Sequence, residues 1–174
     1  MLTFTVKLIG AMCVIASCAA VGLSSVFKLR RHAKTLAVVR RSLGTIRAEL
    51  TTRLTPLPEL FARLATDADE PFRTFAATLT RSMNRLGEVR FSELWVEAVD
   101  ASNLGLLPDE LAVLRDLGRV LGRYELDEQR AYLQYAEERI SEFTLRAEHR
   151  RDADSKPRAA VAVACGVILT LIML

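Results

Sequence analysis

A chain of 174 residues has room for one domain and short appendages, and its 51% of apolar residues is concentrated at the two ends. The formal net charge is +3, with a pI near 9.0. Residues 54–149, however, hold eleven basic against eighteen acidic side chains and no basic stripe, which argues against nucleic-acid binding. Cys13, Cys18 and Cys165 all fall in uncharged runs, leaving no disulfide framework or zinc knuckle in the charged middle.

The first element is the uncharged run from Leu8 to Phe27, twenty residues long. As a helix it measures about 30 Å, the thickness of a bilayer's hydrocarbon core. Eight basic residues and only Glu49 as an acid follow between Lys28 and Arg53, among them Arg30, Arg31, Lys34, Arg40 and Arg41. Arg150, Arg151, Lys156 and Arg158 precede a second uncharged run, Ala159 to Leu174. Basic residues on the inner side of both runs place 28–158 in the cytoplasm, and both collars suit anionic head groups. Ile15-Ala16-Ser17-Cys18 offers a competing lipoprotein reading anchored through Cys18. The apolar run continues past Cys18 and the basic cluster follows it, which favours an uncleaved anchor.

Leu36, Val39, Leu43, Ile46 and Leu50 then repeat at helical spacing. Thr55-Pro56-Leu57-Pro58-Glu59 interrupts that helix, with Thr55 as the expected cap of the next, whose apolar face is Leu57, Leu60, Phe61 and Leu64. Phe72, Phe75, Leu79, Met83 and Leu86 mark a third helix ending near Gly87. Ser92 is read as opening a fourth, with Leu94, Trp95, Ala98 and Val99, closed by Asn103 and Gly105. Pro108-Asp109-Glu110 opens a fifth, with Leu111, Leu114, Leu117 and Leu121 on one face. The last helix presents Leu126, Leu133, Ala136, Ile140, Phe143 and Ala147, with a kink expected around Pro157. No stretch alternates as a strand does.

Chemistry is sparse. The two histidines, His32 and His149, lie among charges near the basic collars and read as solvated, with no metal-ligand spacing. There is no phosphate-binding glycine loop, and no cofactor is expected. The acidic pairs Asp127-Glu128 and Glu137-Glu138 read as solvated helix face. Trp95 reads as a core anchor, Gly118 as a close helix contact, Gly122 as a helix terminus, and Phe61, Phe72 and Phe75 as core.

In order along the chain, these landmarks resemble the stage III sporulation protein AB family of endospore-forming bacteria. They are Lys7-Leu8-Ile9-Gly10, the basic stretch after the first run, Thr55 to Glu59, Trp95-x-x-Ala98, Leu117-Gly118-x-x-Leu121-Gly122, a helix carrying Gln129, and the terminal apolar run. The family's Ser-Asp after the second Leu-Gly is Tyr124-Glu125 here, which removes a helix cap and leaves Asp127 to take its role. The resemblance implies a subunit of the channel complex between mother cell and forespore. Its cytoplasmic part would be similar to the type II secretion platform protein F, and its partner a secretion-type ATPase.

The expectation is therefore an all-α, non-enzymatic membrane scaffold. Residues 1–27 form the anchor, 28–158 a cytoplasmic bundle of about six helices, and 159–174 a second membrane segment. Its partners are membrane lipids and the other channel components, and homo-oligomerisation is left open. A platform subunit of a secretion or pilus system is the alternative of the same mechanical kind.

Overall fold

The computed structural model describes residues 27–121 and 126–173, with side chains for 27–121 and 127–150. The run at 8–27 lies outside the described residues except for Phe27, and the run at 159–174 lies where no side chain is described. Among the described residues no helix is long and apolar enough to cross a membrane. His32–Leu145 forms one compact unit, and the packing described below is internal to it. Met1–Arg31 with Arg146–Leu174 forms the other.

The architecture is all-helical: α1 (residues 27–48), a π-helical turn (Glu49–Arg53), α2 (Leu57–Asp67), α3 (Phe72–Ser82) with a 3-10 turn (Met83–Arg85), α4 (Phe91–Ala101), α5 (Pro108–Val120) and α6 (Leu126–Met173). Among the described residues there is no strand, only an isolated bridge between Leu86 and Val89. Each helix follows its apolar period. Leu36, Leu43 and Ile46 of α1, Leu60 and Phe61 of α2, and Leu133, Ala136 and Ile140 of α6 are all buried. On α6 the buried register continues through Thr144, whose hydroxyl bonds back to the Ile140 carbonyl at 2.8 Å, and Phe143 turns to the flank. α6 is helical through Pro157.

Three helix starts differ from the sequence reading. Pro56, in extended backbone, occupies the N-cap of α2, and Thr55 makes no cap bond there. Arg90 occupies the N-cap of α4, so Ser92 lies inside its first turn. α5 starts as expected, with Pro108 at its first position, and the Glu110 carboxylate accepts the Leu107 N–H at 2.8 Å. Asp127 falls in the first turn of α6 instead of capping it.

α2 to α5 pack in sequence around a cluster of rings. Trp95 is fully buried, with Phe75 at 5.0 Å and Phe61 at 5.6 Å between ring centroids, both edge-on. Its indole N–H donates to the Leu114 carbonyl at 2.7 Å, and α5 reaches it because Gly118 has no side chain. A Cβ at Gly118 would collide with the Cδ1, Cγ and Cβ atoms of Trp95. Burying each of these side chains stabilises by about 1.5–3 kcal/mol. The Trp95 and Gly118 readings hold; Gly122 lies outside the described residues.

Candidate interaction surface

α1 carries six of the nine basic collar residues read from the sequence. Lys28, Arg30, Arg31, Lys34, Arg40 and Arg41 are all exposed, as is Arg150 on α6; the side chains of Arg151 and Arg158 are not described. The basic stretch is not uniform. Arg40 donates to the Ser141 hydroxyl at 3.4 Å, and Arg47 to the Glu137 carboxylate at 2.9 Å, so α1 and α6 run antiparallel side by side. Arg41 reaches Asp69 at 2.9 Å, in a pair exposed on both sides. Glu137 is therefore an interhelical partner and not the solvated residue its sequence position indicated. Glu138 stays on the surface, accepting from the Gln134 amide at 3.1 Å.

His32 is the larger departure. Its Nε2 lies 3.1 Å from Glu110 Oε1 and its Nδ1 3.3 Å from the Gly105 carbonyl, joining α1 to the start of α5. The Glu110 side chain is only 3% exposed. Its second oxygen holds the Leu107 N–H, so one carboxylate both caps α5 and ties α5 to α1. His32 is thus half-buried and structural, not solvated.

The far end of α1 holds a second buried acid. Glu49 accepts from the Thr55 hydroxyl at 2.8 Å and from Arg53 at 2.7 Å, with Arg63 at 3.5 Å. The Thr55 hydrogen bond, aided by the two arginines and opposed by burial, holds its carboxyl below the ordinary 4.5. The main chain turns wide here. The N–H groups of Leu54 and Thr55 both return to the Glu49 carbonyl, and Leu54 sits at φ 54°, ψ 34°, in the left-handed region. Leu54 is also 65% exposed. Beside it, Arg41, Gly44, Thr45, Ala48, Thr52 and Arg53, with Glu49 beneath, line an open groove of about 510 Å³ along α1. Of the Thr-Pro-Leu-Pro motif, Thr55 holds Glu49 while Pro56, Leu57 and Pro58 form the N-cap and first turn of α2. Gln129, in the first turns of α6, has a partner.

This arrangement leaves exposed arginines along α1 and an exposed leucine at the turn that ends it. Among the described residues no three His, Cys, Asp or Glu side chains gather as a metal site. The Stage III sporulation protein AB family model matches residues 7–174. The chain belongs to the stage III sporulation protein AB family. A solved structure of a stage III sporulation protein AB superposes with a TM-score of 0.65 at 19% identity, covering 71% of this chain and 98% of that one, so the helical fold is shared. No curated protein matches the sequence.

Proposed function

We propose that this protein is a non-enzymatic membrane scaffold in the sporulation channel complex between mother cell and forespore. Residues 1–27 and 159–174 hold it in the mother-cell membrane around the forespore. Residues 28–158 form its cytoplasmic part, engaging the other channel components and a secretion-type ATPase. Family membership over residues 7–174 carries the reading. The two uncharged runs with basic residues on their inner sides support the topology. The roles of the polar groups support a scaffold. Glu49, His32 and Glu110 are engaged in ties between elements, and the exposed cations Lys28, Arg30, Arg31 and Lys34 sit at the membrane-proximal start of α1, where anionic head groups would meet them.

Deleting the gene in a spore former is expected to arrest development after engulfment, and normal spore yield in the deletion would remove the reading. Crosslinking from cysteines introduced on the 54–149 surface, in cells containing the ATPase, locates the partner face.

A further inference from the structure

We infer that Leu54 is the apolar anchor of a protein-docking surface, received by a partner segment that offers an apolar socket bordered by carboxylates. The inference rests on the scaffold reading and names the face that reading leaves unassigned. Three observations carry it.

The first is conformational. Leu54 holds φ 54°, where an L-residue's Cβ crowds the following carbonyl and where a helix end ordinarily places glycine or asparagine. The second is exposure. A leucine that gained from core burial would offset that strain, but Leu54 is 65% exposed. The fold therefore has no use for a large apolar side chain at this position and would be served at least as well by glycine. A residue that works against folding while facing solvent points to work done outside the fold.

The third is electrostatic. Arg53 and Arg63 share a single carboxylate, Glu49, which lies largely beneath the surface, and both guanidinium groups are exposed. Carboxylates on a partner complete this arrangement. An open pocket of about 510 Å³, lined by Arg41, Thr45, Ala48, Thr52 and Arg53, lies along the chain just before Leu54. The Thr55–Glu49 hydrogen bond ties the turn from below and so lowers the cost of ordering it on binding.

The test uses the full-length chain in detergent micelles and the purified ATPase of the scaffold reading as probe. Leu54→Gly and Leu54→Asn both suit the left-handed conformation and remove the anchor; Leu86→Asn removes another exposed leucine as a control. The expected result is that both Leu54 variants melt at or above wild type yet bind about tenfold more weakly or worse, while the control binds as wild type. Arg53→Glu with Arg63→Glu weakens binding likewise. If wild type itself does not bind the ATPase, the partner named by the scaffold reading is wrong. If wild type binds and both Leu54 variants bind equally well, the docking assignment alone is overturned. Lower melting of the Leu54 variants overturns it too, because Leu54 would then serve the fold.

Discussion

The two halves of the helical unit are held by different physics. α2 to α5 close on Trp95 and the phenylalanine rings, a contact of shape in which Gly118 is fitted to the indole face. α1 meets its neighbours through a buried leucine stripe, but its register is fixed by spaced polar ties: His32 to Glu110, Arg47 to Glu137, and Glu49 to Thr55. Close packing tolerates no added atom, whereas a polar tie tolerates change in proportion to its exposure. The ring cluster thus fixes α2 to α5 by shape, and the ties fix α1 by charge and hydrogen bonding, two of them through carboxylates that are almost fully buried.

Substitutions separate these two regimes. Gly118→Ala drives a methyl group into Trp95 and is expected to destabilise by about 3 kcal/mol, at the upper end of overpacking, read by urea denaturation with Trp95, the sole tryptophan, as the fluorescent reporter. A loss below about 0.5 kcal/mol would show that the fit of Gly118 to Trp95 is not what holds α2 to α5. Glu110→Ala removes the α5 cap and the His32 tie together, and a loss of about 2 kcal/mol is expected in the same assay.

The Glu49 tie has a pH signature. Its carboxyl is held below the ordinary value, so its contribution is present above pH 4.5 and disappears as pH falls through the lowered value. Thr55→Val removes the largest cause of that lowering. Melting midpoints compared at pH 7 and about pH 3 are therefore expected to fall less in the variant than in wild type. The smallest effect belongs to Arg41→Ala. The Arg41–Asp69 pair is 73% and 62% exposed, and its loss should change stability by no more than about 0.5 kcal/mol. Such a result leaves Arg41 available to lipid or partner at no structural cost.

The helices and most of the core were legible in the sequence because burial imposes a period that local inspection detects. What was not legible depended on distance or on competition. His32 looked solvated because its partner lies 78 residues away and no period connects them. Thr55 looked like a cap, but its hydroxyl donates to the Glu49 carboxylate and Pro56 takes the N-cap position of α2. Pro58 in the first turn of α2 also has no N–H for a cap to satisfy. Thr144 took the buried register in place of Phe143 because its hydroxyl can be satisfied by its own helix. The wide turn at Glu49–Arg53 has no sequence signature, since a left-handed leucine is what propensity disfavours. The candidate surface was therefore only half visible. Its cations could be read from the charge map, its shape and its tip could not.

The carboxylate of Glu110 has a consequence for how the molecule opens. Because one group serves both the first turn of α5 and the base of α1, neither can loosen while the other stays intact. Local fluctuations that would ordinarily fray a helix start must here also release a segment far away in sequence. The amides at the start of α5 and the contacts of His32 should then exchange and recover together, as a single cooperative unit of unfolding.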